Sequence, residues 1–398
     1  MTKRNLLLSL VLVLTFIGGF FTGEWYSTNN KPQELTEEVE QIEKKQASKS
    51  TKDQSEKEKK QTIEDTEPLT EEADDNKVLM GYVQDFRDPQ TIDYSELTHI
   101  IFSFAHPTKD GQLLLNGETA LNNLRTTVSN AHKQDTKVML AIGGWFHINS
   151  GESYDYFKVA ISDPTARTQL VQELVSIADR ENLDGIDIDF EHPRSNQDAQ
   201  NLTSFTKELS NILHQKEKEL SIAVNAKVHS VVGTEINNVV YEPSMFQYVD
   251  HVNIMAYDGH WDDGYNASNL SPYPYTENIV NYWTNLFDTH QISREKLVLG
   301  VPFYAQPEDP NSKQISYATI INNSSDHAES DTVSINGTTY HYNGEATIIK
   351  KTNLALDHGF GGMMMWEIGH DAEGSHSLTL AISEVLESAN QYAFEQNQ

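Results

Sequence analysis

From Val78 to Trp366 the chain alternates between short apolar runs and longer stretches in which apolar side chains recur every three or four positions. The runs are Val78–Val83, His99–Phe104, Lys137–Ile142, Gly185–Phe190, Leu220–Val224, Val249–Met255, Leu297–Phe303 and Gly361–Trp366. Runs this short and nearly continuous predict strands buried on both faces of a parallel sheet. Helical spacing is clearest over Leu121–His132, Pro164–Arg180, Ala199–Gln215, Thr276–Thr289 and Ala346–Leu356, with a last helix over Ser377–Glu387. Asp163 followed by Pro164 is a good helix start, a capping carboxylate before a first-turn proline. Strands alternating with helices in this way predict an α/β fold, a (β/α)8 TIM barrel. A doubly wound open sheet shares the same periodicity. Residues 305–359 form a long connection between the seventh and eighth strands. Within it TVSINGTTYHY (Thr332–Tyr342) predicts a hairpin turning at Asn336-Gly337, so a small insertion is expected there.

The first 76 residues have a different pattern. Lys3 and Arg4 precede an apolar run from Leu6 to Phe21, which reads as an export signal or a signal anchor over residues 1–26. An uncleaved anchor, with its N-terminus inside, is the favoured form. The mass of the mature protein separates the two, since a cleaved signal removes about the first 20 residues. Residues 27–76 are rich in Glu, Lys, Gln, Ser and Thr and are expected to form a disordered charged linker. The folded unit is placed at 77–390, in an exported or cell-surface protein that meets a membrane only through its N-terminal segment.

Composition narrows the chemistry. The 398 residues carry 59 acidic and 29 basic side chains, a formal charge of −30, and no Cys. A disulfide scaffold, a thiolate metal site and a Cys nucleophile are excluded. Nucleic acid is disfavoured as a partner, because duplex binding needs clustered Lys and Arg. The His residues, among them His99, His106, His147, His229, His251, His260, His290 and His370, show no metal-ligand spacing and read as loop or surface positions. No cofactor and no metal are expected, and a monomer is.

The candidate chemistry lies in Leu183–Pro193, LDGIDIDFEHP. On a strand, Asp187, Asp189 and Glu191 share one face at steps of about 6.6 Å, while Ile186, Ile188 and Phe190 face the other way. Three acids in line on a buried strand cost much in repulsion and desolvation. They persist where protons are shared, where partners exist, or where the strand end opens into a cleft. In a barrel, Glu191 falls at the C-terminal rim where active sites sit. A divalent-cation site or a solvated edge strand are the competing readings.

The pattern Asp184-x-x-Asp187-x-Asp189-x-Glu191 resembles the signature of glycoside hydrolase family 18, the chitinase family. KVMLAIGGW (Lys137–Trp145), NIMAYD (Asn253–Asp258), KLVLGVPFY (Lys296–Tyr304) and GGMMMWE (Gly361–Glu367) resemble its third, sixth, seventh and eighth strands. Gly81-Tyr82 and Phe102–Phe104 suit the first and second. The resemblance implies retaining, substrate-assisted hydrolysis of β-1,4 links beside N-acetylglucosamine, through an oxazolinium ion. It implies that Glu191 is the acid, that Asp189 orients the acetamide and stabilises the cation, and that Asp187 shares a proton from below. It implies that Tyr257 donates to the acetamido oxygen and that Trp366 floors the scissile sugar. Met255, Asp258, Tyr82, Trp145 and Phe104 are expected to line the groove. Asp184, out of phase, is expected to be structural, and Gly143-Gly144 to let the backbone pass closely. The short insertion suggests a shallow groove and endo cleavage.

Three positions depart from the family pattern. Ala141 stands where Ser is common, Phe190 where Trp is common, and His192 where Tyr is common. Chitin or chito-oligosaccharides are the first substrate reading. N-glycan cores or peptidoglycan are the second. A lectin-like binding protein is the third, and retention of Glu191 argues against it.

Overall fold

A computed structural model describes residues 77–396, so the expectations for residues 1–26 and 27–76 lie outside the described residues. Eight parallel strands form the centre: β1 (Val78–Gln84), β2 (His99–Pro107), β3 (Lys137–Gly143), β4 (Gly185–Asp189), β5 (Glu219–Asn225), β6 (His251–Met255), β7 (Leu297–Pro302) and β8 (Gly362–Trp366). β1 pairs with both β2 and β8, Met80 opposing His99 on one side and Met364 on the other. The sheet is therefore closed, which excludes the open doubly wound arrangement and establishes the (β/α)8 barrel.

Each strand sorts its side chains by the period-2 rule. Outward positions such as Ile100, Phe102, Leu140, Ile186, Ile188 and Ile222 join the large core under the helices. Inward positions, among them Met80, Tyr82, Ile101, Met139, Ala141, Val298 and Met364, make a second, smaller cluster in the lumen. The near-continuous hydrophobicity of the strands comes from these two separate cores.

The helices are α1 (Gly117–Ala131), α2 (Tyr154–Ser162), α3 (Pro164–Arg180), α4 (Asn196–Leu213), α5 (Tyr273–Thr289), α6 (Tyr317–Asn323), α7 (Glu345–Asp357) and α8 (Leu378–Gln396). Asp163 caps α3 as expected, its carboxylate accepting from the Ala166 amide at 2.9 Å. α2 is an addition to the expected set. It is short, and it buries Phe157 and Tyr154 against Phe190 of the acid segment. No α-helix joins β1 to β2, and a 3-10 turn over Pro243–Tyr248 serves between β5 and β6. Among the described residues no helix is long and apolar enough to cross a membrane.

The insertion is a four-stranded antiparallel sheet built from Tyr304–Pro307, Ile315–Ser316, Thr332–Ile335 and Thr338–His341, with α6 beside it. The expected hairpin turns at Asn336 and Gly337, both at positive φ (52° and 86°), the conformation that Asn-Gly favours. The insertion is tied to the loop after β6: Gln306 Nε2 donates to the Tyr265 hydroxyl at 2.8 Å, and that hydroxyl donates to the Pro307 carbonyl.

Candidate active site

The register of three strands builds the centre of the site. Asp187 of β4 lies between Ala141 of β3 and Ser221 of β5. All three point into the lumen. The Asp187 carboxylate accepts from the Tyr82 hydroxyl at 2.8 Å, the Ser221 hydroxyl at 2.5 Å and Asn253 Nδ2 at 3.3 Å. Burial pushes its pKa up to about 6, against the pull of these three donors. Ala141 leaves Asp187 without a hydroxyl on one side, and Ser221 supplies one on the other. Ser221→Ala is expected to slow turnover about tenfold, as a lost hydrogen bond to a charged group costs about 1.5–3 kcal/mol. Adding Ala141→Ser should restore most of the rate. Initial rates of the two variants check this, and an unaffected Ser221→Ala enzyme would contradict it.

Asp189 sits one step higher, buried, and its Oδ1 has no hydrogen-bond partner among the described residues. Burial, then the charges of Glu191 and Asp187, hold its pKa well above the usual carboxylate range. Glycine lets the chain close around it. Gly143 opposes Asp189 in the ladder at φ 119°, and a Cβ there would stand 1.9 Å from the Asp189 carbonyl oxygen. The Gly144 amide donates to that same oxygen at 2.9 Å.

Glu191 follows just past the end of β4, its side chain 18% exposed. Burial and the charge of Asp258 push its carboxyl up to about 8. With all three acids raised, the ladder retains protons near neutral pH rather than carrying three charges. His192 Nε2 is 3.7 Å from Glu191, beyond hydrogen-bond reach, and burial together with Arg194 lowers its pKa to about 3. His192 is therefore uncharged beside the acid near neutral pH.

Around the ladder, Tyr257 is buried, and its hydroxyl meets only the Met364 sulfur, at 3.9 Å. Burial raises its pKa well above the usual phenol range, so it stays a donor. Trp366 lies edge-on to Tyr82 at 5.6 Å and stacks with Phe104 at 5.8 Å; these rings and Met255 border the lumen cluster. Asp258 takes a left-handed backbone (φ 62°) and accepts a hydrogen bond from the Tyr304 hydroxyl, its side chain still 55% exposed. Trp145 stands apart on the rim after β3, 44% exposed.

Asp184 has the structural place expected of it. It accepts from the Val138 amide at 2.7 Å and pairs with His132 Nε2 at 2.8 Å, fastening β4 to β3. Phe190 packs outward on Phe157 of α2, so the departure at that position concerns the outer core. The sequence reading missed Ser221, Asn253 and Tyr304. It also missed the exposed rim aromatics Phe86, Phe146 and Trp261 and the pairing of Arg87 with buried Glu367. A polar residue inside an apolar run, as at Ser221 and Asn253, was the available signal. Aromatics just beyond strand ends were the other.

The histidine expectation needs correction at three positions. His99 and His106 are buried in β2, and His251 opens β6. His147 and His260 keep loop positions, though both are buried. Strand ends near the barrel rims can bury an imidazole that spacing alone assigns to a loop.

Comparisons with known proteins bear on the fold and the family. A model of the family described as glycosyl hydrolases family 18 matches residues 78–371. A chitinase-like effector of Moniliophthora roreri is 30% identical over 234 residues, 54% of this chain and 53% of that protein. Chitinase 1 of Aphanocladium album is 29% identical over 254 residues, 55% of this chain and 57% of that protein. The chain thus spans little more than half the length of these two curated relatives. The crystal structure of a chitinase from Bacteroides thetaiotaomicron aligns with a TM-score of 0.65 at 26% identity, covering 78% of this chain and 96% of that one. With the match running from the first residue of β1 to beyond the end of β8, the chain belongs to glycosyl hydrolases family 18.

Proposed function

We propose that the barrel hydrolyses β-1,4-linked N-acetylglucosamine polymers, chitin or chito-oligosaccharides, with retention of configuration and with the substrate's acetamide as nucleophile. The observation that carries the reading is the lumenal ladder of Asp187, Asp189 and Glu191, ending in a carboxyl held protonated at the rim. The Aphanocladium and Bacteroides relatives, both chitinases by name, support the substrate class.

In this reading Glu191 gives its proton to the leaving oxygen. The acetamido oxygen then closes on the anomeric carbon, and the ring nitrogen takes on positive charge. Asp189, whose Oδ1 lacks a partner, accepts the acetamido N–H and faces that charge. The Tyr257 hydroxyl, held only by a weak bond to the Met364 sulfur among the described residues, donates to the acetamido oxygen. Asp187, held by three donors, keeps the shared proton close enough to move as Asp189 gains or loses charge. Glu191, now ionised, accepts a proton from the water that opens the oxazolinium. Trp366 offers its face to the sugar.

The acid role fixes a pH dependence. Glu191 must be protonated in the free enzyme, so kcat/KM should fall about tenfold per pH unit above about 8. Asp258→Asn removes a charge that raises the Glu191 pKa, so it should move this limb to lower pH. A kcat/KM–pH profile of the two enzymes checks both. A limb that ignores Asp258→Asn would contradict the electrostatic account.

A further inference from the structure

At the N-terminal mouth of the barrel, opposite the acid ladder, three strands begin with a potential metal ligand. His99 opens β2, Glu219 opens β5 and His251 opens β6. One ligand atom from each lies within 4.8 Å of the others. His99 Nε2 is 2.8 Å from Glu219 Oε2, and His251 Nε2 is 3.7 Å from the same oxygen. Tetrahedral zinc with bonds of about 2.0–2.1 Å sets ligand atoms roughly 3.3 Å apart, between these two values. The His251 contact is too long for a hydrogen bond, and its buried Nδ1 has no partner among the described residues.

The orientation of His99 is set from outside the cluster. Its Nδ1 lies 2.8 Å from the Thr98 hydroxyl, which also faces the Leu79 carbonyl at 3.1 Å and accepts from the Leu79 amide at 2.9 Å. In the tautomer whose Nδ1–H donates to Thr98, the Nε2 lone pair faces the carboxylate and the two can share a cation; in the other, Nε2–H donates to Glu219. A histidine whose second nitrogen is tied to a hydrogen-bond partner is the usual arrangement behind a metal. The rings of His99 and His251 meet edge to face at 5.5 Å. His99 is buried, while Glu219 and His251 remain partly open to solvent, which leaves an entry path.

We propose that His99, Glu219 and His251 bind one divalent transition metal of the zinc class, clasping β2, β5 and β6 across the bottom of the barrel. Two imidazoles and one carboxylate are a nitrogen–oxygen donor set suited to such an ion, with a water completing the shell. Lys137, at the start of β3, hydrogen-bonds the other oxygen of Glu219. Its ammonium competes with the metal for the carboxylate's charge.

The test is isothermal titration of the full chain, stripped with a chelator, with zinc chloride at pH 7.5. One equivalent should bind in the micromolar range or tighter. His251→Gln and Glu219→Gln should weaken binding at least tenfold. Lys137→Ala, at a half-exposed side chain and therefore tolerated by the fold, should tighten binding about threefold. Thermal unfolding should shift upward with zinc in the wild type and not in His251→Gln. No binding at 100 μM zinc, binding undiminished in both ligand variants, or affinity unchanged in Lys137→Ala would each overturn the proposal. Because Lys137→Ala keeps all three ligands, its result stands even where a ligand variant folds poorly.

Discussion

Glu191→Gln is expected to lower kcat on chitotetraose by about a thousandfold, in the middle of the range for loss of a positioned general acid. KM should stay within a few-fold. The substitution keeps the shape of a side chain that is largely buried at the end of β4, so the groove and the ladder beneath it are retained. What disappears is the one proton donor aimed at the rim. The amide has no proton to give to a leaving alkoxide and cannot later take one from water, so both half-reactions suffer. Initial rates of reducing-end formation measure the effect. A variant that keeps more than a tenth of the wild-type kcat would remove Glu191 from the acid role.

Asp189→Asn is expected to cost about a hundredfold to a thousandfold in kcat, the usual range for removing a preorganised group that faces developing charge. The buried Oδ1 has no partner among the described residues, a condition that costs roughly 1–3 kcal/mol in the folded protein. That cost is recovered only when a donor arrives, and the acetamido N–H is the donor the reading supplies. Asparagine presents a neutral group where the oxazolinium needs an anion. Burial and the charge of Asp258 raise the Glu191 carboxyl, so the basic limb should stay where the wild type has it. The variant should therefore show a lower kcat with an unmoved basic limb. A kcat within a few-fold of wild type would remove Asp189 from the stabilising role.

Most of the barrel was legible because each of its strands is buried on both faces. Val78–Val83 and Gly185–Phe190 stand out as apolar runs for that reason, and the period-2 rule alone placed Ile186 and Ile188 under the helices and Asp187 in the lumen. α2 was not legible. Its nine residues are too few for a helical period to declare itself, and its role depends on contact with Phe190. The acid ladder was readable from one segment because its members are two residues apart. The partners of Asp187 were not, since Tyr82, Ser221 and Asn253 come from β1, β5 and β6 and converge only when the sheet closes. Closure hides the histidines in the same way. His99, Glu219 and His251 are far apart in sequence, and only the shared starting level of β2, β5 and β6 brings them together.

The role of Ala141 shows what register adds to a motif. Compared with the family pattern alone, the alanine is a loss beside the acid network. In the structure Asp187 has one neighbour on each side, and the hydroxyl comes from Ser221 instead. The proton balance of the ladder is thus set by the sum over both neighbouring strands.

The most direct test is the anomeric form of the first product. The full chain is incubated with chitopentaose, an N-glycopeptide and peptidoglycan in parallel, with Glu191→Gln as control, and fresh products are read by proton NMR. Substrate-assisted retention predicts β-anomeric chito-oligosaccharides from chitopentaose at early times, absent from the control. α-Anomeric products, or cleavage confined to the glycopeptide or peptidoglycan, would contradict the account.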